Sequence, residues 1–163
     1  MNQIKKMEDY TKEEIGINPN DLEAIFAIDD YHFLSQTRNE LAWLMENLVK
    51  NKIKNVIEIG TQFDGTLKVW ESIIPQDGTI ISIDKESRLK FDIAQSPKNL
   101  IFLQANSLKK ETKEIVKEIL KNCKIEKVDF LFIDGSHEGT QIEFELFKDF
   151  VKDGGIIAFH DIQ

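Results

Sequence analysis

Five short apolar runs, separated by stretches of helical spacing, leave this chain few ways to fold. Val56 to Ile59, Thr79 to Ile83, Leu100 to Leu103, Val128 to Ile133 and Ile156 to Phe159 are almost continuously apolar, as strands covered on both faces must be. Between them apolar residues recur at helical intervals: Leu67, Trp70 and Ile74, then Ile115, Val116, Ile119 and Leu120, then Ile142, Leu146 and Phe150. Such alternation predicts an α/β fold, a doubly wound Rossmann-like parallel sheet. Right-handed crossovers and one reversal after the third strand predict the order 3-2-1-4-5, with the first and fourth strands flanking the switch point. Pro75 to Gly78 and Asp153 to Gly155 read as turns into the second and fifth strands. Lys85 to Pro97 carries a fainter helical pattern. Ahead of the sheet, Thr37 and Glu40 form a candidate capping box for a helix with Leu41, Leu44, Met45 and Leu48 on one face. The expected organisation is one Rossmann-like domain over 37–163, preceded by an arm or lid over 1–36 that includes His32.

The link between the first strand and the next helix narrows the ligand. Val56-Ile57-Glu58-Ile59-Gly60 ends a strand in an acid and a glycine, and Gly65 opens the helix. About twenty residues on, the second strand ends in Asp84, where doubly wound proteins place an acid on ribose hydroxyls. In the dinucleotide fingerprint G-x-G-x-x-G, the second glycine lets backbone approach a pyrophosphate, and here that position is Gln62. A phosphate loop needs Lys directly after the second glycine, and Thr66 stands there. The turn suits a nucleoside without phosphates.

Glu58-Ile59-Gly60-Thr61-Gln62-Phe63-Asp64-Gly65 resembles the first motif of the class I S-adenosylmethionine-dependent methyltransferases, acid-x-Gly-x-x-x-x-Gly. Phe132-Ile133-Asp134-Gly135-Ser136-His137 and Gly154-Gly155-Ile156-Ile157-Ala158-Phe159-His160-Asp161 are similar to the sugar and macrolide O-methyltransferases and the cephalosporin-hydroxylase-like subgroup. The resemblance implies S-adenosylmethionine as cofactor, with its methionine portion at Gly60 and Thr61, ribose at Asp84 and adenine at Asn106. Glu58, Gly65, Ser107 and Asp134 complete the implied cofactor set. His137 matches a proposed general base. Asp134 and Asp161 match acids that bind a divalent cation, magnesium or manganese, and His160 replaces the first acid of a pair. Exchange of a carboxylate for an imidazole tilts such a site toward softer metals. The implied acceptor is a small molecule bearing a hydroxyl. Members of this class continue past the fifth strand with a helix and an antiparallel strand pair. This sequence ends at Gln163, so the expectation is a sheet lacking that pair, with an open edge that could form a homo-oligomer.

Among the 163 residues, a net charge of -8 disfavours nucleic acid as a partner. A single cysteine, Cys123, fits a reducing, cytoplasmic setting, and no apolar run reaches membrane-spanning length. Trp43 and Trp70 read as core residues, and Glu143 and Glu145 as a solvated helix face. Two other functions are compatible with the pattern. One is a nucleotide-dependent oxidoreductase; the other is a partial, non-catalytic cofactor-binding or assembly domain.

Overall fold

The computed structural model describes residues 38–62, 65–86, 88, 96 and 98–160. Strands β1 (Asn55–Ile59), β2 (Thr79–Asp84), β3 (Asn99–Gln104), β4 (Val128–Ile133) and β5 (Val151–Phe159) form one sheet in the order β3-β2-β1-β4-β5. Every pairing is parallel. Helices α1 (Arg38–Lys50), α2 (Gly65–Ile73), α3 (Lys110–Asn122) and α4 (Thr140–Phe147) flank it. This is the Rossmann-like order that the alternating pattern predicts.

The three central strands are buried on both faces, and the strand period of two divides them between two cores. Val56, Ile80, Phe130 and Phe132 face a cluster built with Leu41, Met45 and Leu48 of α1 and Leu67, Val69 and Trp70 of α2. Ile57, Ile59, Ile81, Ile83, Leu131 and Ile133 face the opposite cluster, with Val116 and Leu120 of α3 and Phe147 of α4. Trp70 anchors α2, its ring edge-on to both Phe130 and Phe132 at 5.2 Å between centroids. Such pairs contribute about 0.5–1.5 kcal/mol beyond burial.

Three expectations are corrected. Asp153 to Gly155 is no turn before the strand, because β5 already pairs at Val151. Val128 pairs with Val151 and Phe130 with Ile156, so the intervening residues bulge out, helped by Gly154 at φ +75. Trp43 is 59% exposed on the far face of α1, whereas Trp70 is fully buried as expected. On α4 the inward face is Glu143 and Phe147, and Ile142 is 50% exposed. The helix is therefore turned by one residue from the apolar stripe read in the sequence. Glu143 consequently lies inside, not on a solvated face, while Glu145 stays outside beside Lys148. The candidate cap at Thr37, the N-terminal arm, and most of the helical pattern between Lys85 and Pro97 lie outside the described residues.

Candidate cofactor and acceptor site

Each strand is latched to its neighbour just past its end. Gly60 N donates to Ile83 O, Asp134 N to Ile59 O, Ala105 N to Asp84 O and His160 N to Ile133 O, all at 2.8–3.0 Å. These bonds draw Gly60, Asp84, Asn106, Asp134 and His160 to one edge of the sheet. Gly60 is required there for two reasons. Its φ is +91, and a Cβ would stand 2.0 Å from the carbonyl oxygen of Asp134. The glycine thus sets how closely the β1 and β4 loops approach.

Gln62 has φ +50, a left-handed conformation that costs a side-chain-bearing residue roughly 1–2 kcal/mol. Asp84 supplies the compensating contacts. Its Oδ2 accepts from Thr61 N at 3.0 Å and Gln62 N at 2.9 Å, and its Oδ1 accepts from Glu86 N at 2.9 Å. A carboxylate offers about four acceptor positions, so one is left for a ligand.

Beneath the turn, Glu58 is fully buried and accepts from Thr66 Oγ1 (2.6 Å), Trp70 Nε1 (2.8 Å) and Ser82 Oγ (2.6 Å). Ser82 in turn lies 2.5 Å from Thr61 Oγ1. The acid therefore ties β1, β2, the turn and α2 together. Burial pushes its carboxyl up to about 7, against the lowering effect of the three donors, with a further rise from the charge of Asp134.

A cavity of about 470 Å³ opens above this edge. Of the residues picked from the sequence, Gly60, Asp84, Asn106, Ser107, Asp134, His137 and His160 line it. Glu58, Thr61 and Gly65 are buried behind that wall, and Asp161 lies outside the described residues. His160 Nδ1 and Asp134 Oδ1 are 3.1 Å apart, so two of the three implied metal ligands adjoin. No group of three candidate metal ligands occurs among the described residues. Asn106 Oδ1 accepts from Leu108 N at 3.0 Å, shaping the loop after β3.

Glu143 was missed in the sequence, where it looks like any charged helix residue. It lines the cavity and is 0% exposed, its Oε1 accepting from Ser107 Oγ at 2.6 Å. A Cβ on Gly135 would meet that oxygen at 2.4 Å, so the glycine after Asp134 is what admits the carboxyl. Burial raises its pKa, opposed by Ser107 and the Ser136 backbone and reinforced by Asp134. A glycine following a strand-end acid and preceding a helical glutamate is the only trace of this arrangement in the sequence.

A family model described as a methyltransferase domain matches residues 16–162. The chain belongs to this methyltransferase-domain family. It is similar to a caffeoyl-CoA O-methyltransferase of Populus kitakamiensis, 30% identical over 113 residues, which cover 65% of this chain and 46% of that protein. The chain thus spans about half the length of that curated relative. Among solved structures it resembles an O-methyltransferase from Bacillus cereus in complex with SAH: TM-score 0.62, 17% identity, 91% of this chain and 69% of the other. It also resembles Aeropyrum pernix fibrillarin with bound S-adenosyl-L-methionine: TM-score 0.53, 18% identity, 82% and 52% coverage. At these identities the structural likeness establishes the shared fold. No helix among the described residues is long and apolar enough to cross a membrane.

Proposed function

We propose that this domain binds S-adenosylmethionine and transfers its methyl group to a hydroxyl of a small molecule. The observation that carries the cofactor choice is how the turn amides are used. Thr61 N and Gln62 N both donate to Asp84, so the amides a pyrophosphate would recruit are already engaged. Among the charged residues lining the cavity, Asp84, Glu86, Asp134 and Glu143 outnumber Lys85 and Arg88, which further favours a ligand carrying positive charge over a diphosphate. This argues against the oxidoreductase reading. The residues fit the cofactor: an acid with a spare acceptor position at the β2 end, and an acidic wall suited to a sulfonium and an ammonium group.

When bound, the cofactor supplies a methyl group on a good thioether leaving group. The chain's task is to hold the acceptor oxygen in line with that methyl group, from which most of the barrier reduction comes. As the oxygen–carbon bond forms and the carbon–sulfur bond breaks, the hydroxyl proton must leave. His137, on the loop after β4 and lining the cavity, is assigned as the base that takes it. Asp134, His160 and Asp161 are the residues that would hold a divalent cation, which would lower the hydroxyl pKa and orient it. Their mixed oxygen and nitrogen donors suit manganese better than magnesium. A cytoplasmic setting accords with the single cysteine.

Calorimetric titration with S-adenosylhomocysteine and with NAD, with and without manganese, tests the reading. Binding of the first and not the second is expected; NAD binding alone, or neither, would sink it. In transfer assays from labelled S-adenosylmethionine to a panel of phenols and sugars, His137→Ala should retain cofactor affinity while slowing transfer by about 10²–10⁴-fold. Loss of affinity in that variant would remove the base assignment.

A further inference from the structure

Strands β2 and β1 stand between β3 and β4 in the sheet, yet the loops that follow β3 and β4 meet at one side chain, Glu143 of α4. Its Oε1 accepts from Ser107 Oγ of the β3 loop at 2.6 Å. The same carboxyl lies against Gly135 of the β4 loop, where an added Cβ would meet Oε1 at 2.4 Å and Oε2 at 3.0 Å. Oε2 is buried and, among the described residues, is without a hydrogen-bond partner, so the carboxyl burdens the fold where it stands. An apolar side chain of that size would burden it less. Resting on the methyl-transfer reading above, we infer that Glu143 is a positioning residue, which fixes the β4 loop, and with it His137, against the β3 loop.

His137 is exposed, so the path of the backbone that carries it decides where its ring begins. That path is a closed turn. Ser136 O accepts from Gly139 N at 2.8 Å and from Thr140 Oγ1 at 3.0 Å, and His137 O lies 3.4 Å from the same hydroxyl. These bonds fix the turn internally and to the start of α4, whose N-cap, Gly139, supplies no side-chain cap. They do not fix it to the β3 loop. Glu143 does so from beneath, through Ser107, and one apolar contact runs alongside: a Cβ on Gly139 would meet Leu108 Cδ2 at 2.5 Å. An apolar contact can slide, whereas the bond between Glu143 and Ser107 has a direction. Misplacement of a reacting group by about 1 Å can cost about 10²-fold in rate, so a loop that carries the base needs a directional restraint. Glu143 meets the loops and not the acceptor, and its effect passes through His137.

Glu143→Leu removes the bond to Ser107 with little loss of volume, and Glu143→Gln keeps an acceptor in the same shape. Amide hydrogen exchange of the cofactor-free chain reads the restraint directly. In Glu143→Leu the Gly139 amide should exchange about tenfold faster or more, while the Gly60 and Asp134 amides, which latch the strand ends, stay within about threefold of wild type; in Glu143→Gln all three should stay within about threefold. In transfer from labelled S-adenosylmethionine to the fastest acceptor of a phenol and sugar panel, Glu143→Leu should lose about 10–100-fold in kcat, with S-adenosylhomocysteine affinity within about threefold of wild type. Glu143→Gln should recover most of that rate. Added to His137→Ala, Glu143→Leu should slow transfer by less than about threefold, because no imidazole is left to restrain. If Glu143→Leu does not fold, Ser107→Ala breaks the same bond from the other loop and is read in the same way. Equal loosening of all three amides, an undiminished kcat, no recovery in Glu143→Gln, or the full loss repeated in the His137→Ala background overturns the inference. Absence of S-adenosylhomocysteine binding or of transfer by the wild-type chain strikes the proposed function itself, and an unslowed His137→Ala strikes the base assignment. Each of these would remove the inference as well, but by a different measurement.

Discussion

The two ends of β1 are held by the same device and put to different uses. Where the chain enters the strand, Asp129 of β4 reaches across and its Oδ2 accepts from Lys54 N at 2.9 Å and Asn55 N at 2.7 Å. Where the chain leaves it, Asp84 of β2 does the same for Thr61 N and Gln62 N. The difference lies in the second oxygen. Asp129 turns Oδ1 to Lys152, and the nearby Asp77 pairs with Lys54, so the entry end is closed by lysines. Asp84 turns Oδ1 to a backbone amide, and its neighbours at that edge are Asp134 and Glu143. Each carboxylate takes three donors, but only Asp84 lines the ligand cavity, where its remaining acceptor position can serve a visitor.

The largest expected effect comes from removing the feature that makes the exit end possible. Gly60→Ala would drive a methyl into the Asp134 carbonyl and strain a φ of +91, costing about 3 kcal/mol or more in urea denaturation. A loss under 1 kcal/mol would mean that the β1 and β4 loops do not meet as closely as described. Next is the pH dependence of Glu58. The folded carboxyl keeps its proton to about pH 7, while the unfolded one releases it near 4.5. The native state therefore binds more protons in that window, and stability should fall as pH rises through it, by about 3 kcal/mol in total. Glu58→Gln should flatten this slope, and an unchanged slope would assign it to another group.

The smallest effects sharpen the comparison most directly. Asp129→Ala should cost about 2 kcal/mol of stability, since two backbone amides and a lysine lose their partner, and leave S-adenosylhomocysteine affinity as it was. For Asp129 burial raises the pKa, but Lys152 and the Asn55 and Lys54 amides outweigh it and hold the carboxyl below its ordinary 3.8. Its contribution is thus present above that value and disappears as pH falls through the lowered one, the opposite trend to Glu58. Asp84→Ala should cost a similar amount of stability, about 2 kcal/mol, since the buried Thr61 amide and the strained Gln62 lose their acceptor, but with a clear loss of cofactor affinity. Equal effects of the two variants on affinity would erase the distinction between the ends.

The sheet was legible because it rests on patterns local to the sequence. Apolar runs such as Val128 to Ile133 have no other economical place than between two helical layers, and β4 occupies those residues without a shift. Gly60, Asp84 and Asp134 were legible because strand ends in such a sheet share one crevice. What escaped depends on helix rotation and long-range partners. Ile142 and Leu146 mark a plausible apolar stripe on α4, yet Phe147 and Phe150 pack together at 6.0 Å between centroids and turn Glu143 inward. Nothing near Glu143 in sequence announces Ser107, 36 positions away. Glu58 likewise reads as a ligand-binding acid because its motif says so. Its three partners, Thr66, Trp70 and Ser82, become visible only once β1, β2 and α2 are side by side.

The bond from Trp70 Nε1 to Glu58 Oε1 wires an indole chromophore to the carboxyl that changes charge near neutrality. The chain's second tryptophan, Trp43, sits in water and supplies an internal reference. Ultraviolet emission of the unlabelled protein should accordingly carry a titration curve centred near pH 7, absent from Glu58→Gln, making the scaffold its own optical gauge of the ionisation beneath the turn.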